Sequence, residues 1–170
     1  ILYGGDGNDS ILGGNGDDYL QGNNGTDTMA GSAGNDYYVV DTDSDVVSEN
    51  ANQGNDTVEA SISYKLGANI ENLVLASNGL KLNGEGNALN NILHGNYSDN
   101  QLLSHGGNDA LYGNSGNDTL TGGDGNDRLY GGADDDDRDL LGGGDERRLA
   151  KGADEGRIEE PRRQQRGEHA

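Results

Sequence analysis

The chain has 170 residues, with 31 acidic against 11 basic side chains, 31 glycines, one proline, no Cys, Phe or Trp, and only 30% apolar residues. No apolar run approaches the roughly 20 residues of a membrane-spanning helix. The strong negative charge repels nucleic acid and anionic lipid surfaces, and the lack of Cys removes disulfides and thiolate metal sites. Large apolar side chains are too few for an ordinary globular core, so folding calls for a further source of stabilisation, and a cation suits the charge.

The chain opens on ILYGGDGNDS, without an initiator Met, a basic leader or an apolar signal core, and reads as a piece of a longer chain. From Gly4 it runs GGDGNDSIL, GGNGDDYLQ, GNNGTDTMA and GSAGNDYYV, a nonapeptide period. The sixth positions are Asp9, Asp18, Asp27 and Asp36, and the eighth are Ile11, Leu20, Met29 and Tyr38. The register extends into VDTDSDVVS, where Asp45 is sixth and Val47 eighth, although the glycines are lost.

Residues 37–83 are less regular. Runs rich in β-branched, aromatic or leucine residues (Tyr37 to Val40, Val46-Val47, Thr57-Val58, Ile62 to Leu66, Leu73 to Leu75) alternate with Gly, Asn and Asp. They predict short parallel strands joined by longer turns that bind nothing. Asp56 keeps a carboxylate in this stretch and is a further ligand candidate.

The period resumes one residue out of phase at Gly86, with GNALNNILH, GNYSDNQLL, SHGGNDALY, GNSGNDTLT and GGDGNDRLY. Its eighth positions are Leu93, Leu102, Leu111, Leu120 and Leu129, and its sixth are Asn91, Asn100, Asp109, Asp118 and Asp127. In the next unit Asp134 replaces a glycine and Arg138 an apolar residue. Residues 1–132 hold all 21 Asn and 19 acidic against three basic residues, whereas 133–170 hold no Asn, with 12 acidic and eight basic. The tail reads as disordered or weakly helical, with a frayed helix at most over 146–153, and as either a natural segment or a reading-frame change.

One apolar residue in nine cannot form an amphipathic helix. It suits a very short strand whose central side chain turns inward, and the Gly, Asn and Asp before it suit a turn. Alternating strand and turn builds a solenoid around a thin apolar column. If two units make one coil, turns on one side recur with every second unit, and Asp9 lies beside Asp27, Asp18 beside Asp36, and Asp109 beside Asp127. Stacked carboxylates repel unless a cation separates them, and turn carbonyls with carboxylates are what a hard cation such as calcium takes.

These units resemble the calcium-binding nonapeptide G-G-x-G-x-D-x-U-x of the repeats-in-toxin (RTX) family. The resemblance implies an all-β parallel β-roll with Ca2+ between successive coils, held by turn carbonyls and the carboxylates of Asp9, Asp18, Asp27, Asp36, Asp109, Asp118 and Asp127, with Asp45 added by register. Asn91 and Asn100 depart from the motif. The expected organisation is a first binding block over 1–48, an irregular β-solenoid spacer over 49–85, a second block over 86–132 and a charged tail over 133–170. The implied function is calcium-triggered folding of a secreted bacterial protein's repeat region, exported by type I machinery. Alternatives are the C-terminal part of a secreted protease or lipase, or the spacer of an adhesin or surface-layer protein. No catalytic role is expected: His94, His105 and His169 are scattered and fit no catalytic spacing.

Overall fold

A computed structural model describes residues 1–132 and, beyond them, strands 140–142 and 147–149. One nine-stranded sheet contains β1 (Leu2–Asp6), β3 (Tyr19–Asn24), β5 (Tyr37–Val40), β7 (Thr57–Ala60), β9 (Asn72–Leu75), β11 (Ile92–His94), β13 (Ala110–Tyr112), β15 (Arg128–Tyr130) and β17 (Arg147–Leu149), in that order. The opposite face is divided. A three-stranded sheet holds β2 (Ser10–Asn15), β4 (Thr28–Ala33) and β6 (Val46–Val47), and a five-stranded sheet holds β8 (Tyr64–Lys65), β10 (Asn83–Glu85), β12 (Gln101–Leu103), β14 (Thr119–Thr121) and β16 (Leu140–Gly142). Odd strands therefore fall on one face and even strands on the other, and strands of one sheet pair in parallel. This is the expected parallel β-roll, about seven coils long.

The register follows the nonapeptide. Leu20 pairs with Leu2 and Tyr38, Met29 with Ile11 and Val47, and Leu111 with Leu93 and Leu129, each partner lying two repeats along the chain. Every eighth-position residue from Ile11 to Tyr38 and from Leu93 to Leu129 is buried in one continuous column. Each such leucine contributes about 1.5–3 kcal/mol by burial, yet the column is only one side chain per strand thick.

The spacer explains the phase shift. Tyr38 pairs with Val58, Val58 with Leu73 and Leu73 with Leu93, so a long coil is followed by a short one and then by another long one. Together the three run one residue longer than three regular coils, which displaces the second block by one position. Val58, Ala60, Leu66, Ile70, Leu73, Leu75 and Leu82 fill the core here. At the inward position of β10 stands Gly84, where a Cβ would come within 3.0 Å of both Leu73 and Leu102 side chains. The bulk lost at Gly84 is thus supplied by its neighbours.

Beyond Gly132, β16 and β17 pair in parallel with β14 and β15. The coil between β14 and β16 is longer than a regular one. The pairing therefore passes over Arg138, the partner that the strict repeat would supply, and sets Leu141 opposite Leu120. Within 146–153, the segment read as a frayed helix at most, residues Arg147–Leu149 form β17, and the others lie outside the described residues. Arg138 and the acidic run Asp134 to Asp137 lie outside the described residues, as does the rest of the tail.

Leu111 is fully buried between two identical neighbours, whereas Leu80 is 56% exposed. Leu111→Ala is expected to cost about 2–5 kcal/mol, and Leu80→Ala to stay within about 0.5 kcal/mol, read from urea unfolding in saturating calcium.

Candidate metal site

The turns of the regular units are left-handed at two places. Second-position residues such as Gly5, Gly14, Asn23 and Asn114 take positive φ, and so do fourth-position glycines such as Gly7, Gly25 and Gly125. The fourth position tolerates no side chain for a second reason. A Cβ on Gly25 or Gly125 would collide with the carbonyl oxygen of Gly7 or Gly107 in the preceding coil. Coils can stack this closely because the turns carry so little side-chain bulk.

Each turn ends on its sixth-position Asp, and these residues form two ladders along the edges of the roll. The Asp27 Oδ1 accepts the Asp9 amide N–H at 2.8 Å, and the Asp45 Oδ1 accepts that of Asp27 at 3.1 Å. On the other edge the Asp36 Oδ1 accepts from Asp18 at 2.8 Å, Asp56 Oδ1 from Asp36 at 2.9 Å, and Glu71 Oε2 from Asp56 at 2.8 Å. In the second block Asp109 accepts from Asn91, Asp127 from Asp109, and Asp118 from Asn100, at 2.7–2.9 Å. The expected neighbours Asp9 and Asp27, Asp18 and Asp36, and Asp109 and Asp127 are thus brought together. Asp56, in an irregular turn, joins the same ladder.

The Oδ2 atoms of Asp9, Asp27, Asp36, Asp109 and Asp127 are buried without a hydrogen-bond donor. They are not alone at these points. A Cβ on Gly4 would meet Asp9 Oδ2 at 2.6 Å and Gly22 O at 2.7 Å, and one on Gly13 would meet Asp18 Oδ2 at 2.7 Å and Gly31 O at 2.8 Å. The first-position glycine thus leaves a cradle where a carboxylate and a carbonyl of the next coil converge. Buried acceptors facing one another without donors are costly, and a hard cation with oxygen ligands removes that cost. Among the described residues no three His, Asp or Glu side chains converge; the acceptors gathered beside Gly4 and Gly13 are one carboxylate and one backbone carbonyl each. Asp45 differs from the others: its Oδ2 faces the Asp41 and Thr42 amides of its own turn, at 3.3 and 3.4 Å.

The units with Asn at the sixth position solve the same problem without an ion. The Asn100 side-chain amide donates to Leu82 O at 2.7 Å and to Asn96 Oδ1 at 3.1 Å, and that of Asn91 donates to Glu71 O at 3.1 Å and Asn87 Oδ1 at 3.2 Å. Second-position Asn87 and Asn96 in turn accept the amides of Leu89 and Ser98, at 2.8 and 2.9 Å, so these turns are Asx turns. An N–H donor stands where the Asp units present only acceptors. Asn87 and Asn96 escaped the sequence reading, although the repeated G-N-x-x-x-N spacing of Asn87 to Asn91 and Asn96 to Asn100 was the available signal.

Burial dominates the electrostatics. It pushes the carboxyls of Asp36 and Asp109 above their ordinary value, and that of Asp56 up to about 6. Neighbouring acids add to this: Glu49 and Asp18 at Asp36, Glu49 and Glu71 at Asp56, and Asp127 at Asp109. His94 stacks on Tyr112 and His105 pairs with the half-buried Glu85 at 2.7 Å, while His169 lies outside the described residues.

Two outcomes are expected. Groups with raised folded-state values stabilise the metal-free fold below their unfolded value and lose that contribution as pH rises through the folded one. In EDTA the chain should therefore show more β signal by circular dichroism at pH 5 than at pH 7.5, the contribution of Asp56 being lost as pH rises from the ordinary carboxyl value through about 6. Asn100→Asp exchanges a buried donor for an acceptor facing Leu82 O and Asn96 Oδ1, and should cost about 1–3 kcal/mol, measured in saturating calcium.

The RTX calcium-binding nonapeptide repeat model matches four times, over residues 3–38, 85–120, 105–137 and 112–146, together more than half of the chain. No curated protein matches it. The fourth match extends across β16, in keeping with its pairing to β14. Family repeat, parallel roll and acceptor-lined turns agree, and the chain belongs to the RTX calcium-binding nonapeptide repeat family, whose repeats bind Ca2+.

Proposed function

We propose that the chain is the part of a secreted bacterial protein that folds when it meets high calcium, and that Asp9, Asp18, Asp27, Asp36, Asp45, Asp109, Asp118 and Asp127 hold the ions between successive coils. The observation that carries this reading is the set of buried, donor-less Asp Oδ2 atoms beside first-position glycines. When bound, calcium supplies the positive charge that the turns lack. The chain's own part is to order its carbonyls and carboxylates at every second repeat. In low calcium the repulsion along two ladders of acidic residues opposes a column one side chain thick, and the chain stays extended enough to thread through an export channel. Extracellular calcium modules bind at about 10⁻⁴–10⁻³ M, and each site at tenfold saturation contributes about 1.4 kcal/mol. Export by type I machinery follows from this reading, since RTX repeat proteins typically leave the cell that way. No catalytic role is assigned to the chain.

Circular dichroism during a calcium titration, reversed by EDTA, tests the reading. β signal should appear cooperatively with calcium, and magnesium should substitute poorly because it demands tight octahedral geometry and dehydrates reluctantly. Equal β content in EDTA and in millimolar calcium would overturn it. Asp27→Ala should lose more bound calcium, and raise the folding midpoint further, than Asp45→Ala in isothermal titration. Asp27 is linked to a coil on either side, whereas Asp45 spends its second oxygen on its own turn.

A further inference from the structure

The last regular turn of the first block, residues 31–36, faces a coil that has no nonapeptide. At the start of that coil stands Glu49, two repeat lengths after Gly31, where the pattern would place a glycine. Its side chain is only 8% exposed. One oxygen, Oε1, accepts the amides of Gly31 and Ser32 at 2.8 and 3.0 Å and the hydroxyl of Tyr38. The other, Oε2, is buried with no donor. Asp36 is buried against the same Gly31, and its Oδ2 likewise has no donor. A Cβ on Gly31 would strike both Asp36 Oδ2 and the Tyr38 hydroxyl, so these oxygens gather around a single glycine.

Two buried carboxylates, each with one unserved oxygen, therefore meet at the block junction. Among the described residues no basic side chain serves them. Lys65 is engaged with Glu85 and Lys81 with Asp99, and Arg128 lies far along the roll in β15. The Tyr38 phenol is held well above its ordinary value by burial and by its bond to Glu49, so it stays a neutral donor. That bond fixes the carboxylate by one oxygen and leaves Oε2 for another ligand.

We propose that Glu49, which lies in no nonapeptide, closes a divalent-cation site with Asp36 at the end of the first block, and that Tyr38 positions its carboxylate. The site rests on the calcium reading above but adds a ligand that the repeat does not contain. Two carboxylates neutralise one calcium, so the junction binds without help from a further repeat turn. The block thereby terminates its ladder on a charge-balanced ion.

The test uses the full chain, with bound calcium counted by equilibrium dialysis and with terbium as a probe excited through tyrosine. Glu49→Gln keeps an oxygen for the Gly31 and Ser32 amides, so a merely capping role leaves the ion count unchanged. The proposal expects one calcium fewer per chain. Tyr38→Phe removes the hydroxyl that fixes the Glu49 carboxylate, and with it the antenna nearest this site, so it should raise the calcium concentration needed to fill this one site and lower the tyrosine-sensitised terbium emission. An unchanged calcium count in a folded Glu49→Gln chain overturns the proposal. If that variant does not fold in calcium, unchanged terbium emission in Tyr38→Phe overturns it instead. A parent chain that binds no calcium at all would refute the calcium reading itself, an outcome distinct from either.

Discussion

Stacked turns whose inner surface consists of oxygen acceptors are the constraint on which the molecule depends. Each regular coil presents a carboxylate and a carbonyl toward the glycine of the first position, and each passes only one carboxylate oxygen to an amide of the preceding coil. The hydrophobic column is thin where the repeat is regular, with one leucine per strand buried through the second block. Burial raises the carboxyl values of Asp36, Asp56 and Asp109, which is the same cost seen from the proton's side. A proton or a cation relieves it, and at neutral pH calcium is the better suited of the two.

The asparagine units show the alternative chemistry within the same chain. Asn91 and Asn100 replace a charge with an amide, and their N–H groups serve the carbonyls that would otherwise face one another. Their turns change accordingly, from left-handed glycine turns to Asx turns built by Asn87 and Asn96. The roll therefore holds turns whose buried carboxylate oxygens lack a donor and turns whose acceptors are served from within the chain. From β9 to β12 the middle of the roll rests on the buried Leu73, Leu75, Leu82 and Leu93 and on the engaged amides of Asn91 and Asn100. The acidic ladders lie on either side of it.

Surface interactions follow the same two-repeat spacing. Tyr19 stacks on Tyr37, and His94, Tyr112 and Tyr130 form a second stack along the long sheet. Like residues at like positions of successive coils fall side by side on parallel strands, so aromatic rings pair with rings just as carboxylates approach carboxylates. The first arrangement is favourable and the second is not, and only the second needs an outside partner.

The sequence by itself determined the parallel roll, the inward column and the sixth-position ladder, because a strict nonapeptide period ties each residue to its counterparts two repeats away. It also marked where that rule lapses, at Val40 and again after Gly132. It did not determine how the lapses are bridged. The long, short and long coils of the spacer, the slip that pairs Leu141 with Leu120 in place of Arg138, and the filling of Gly84 by Leu73 and Leu102 depend on volume available between coils. Glu49 was likewise an ordinary polar residue in the sequence. Only the packing of its coil on Gly31 buries its carboxylate beside Asp36, because outside the repeat no spacing rule says which side chains will share a turn.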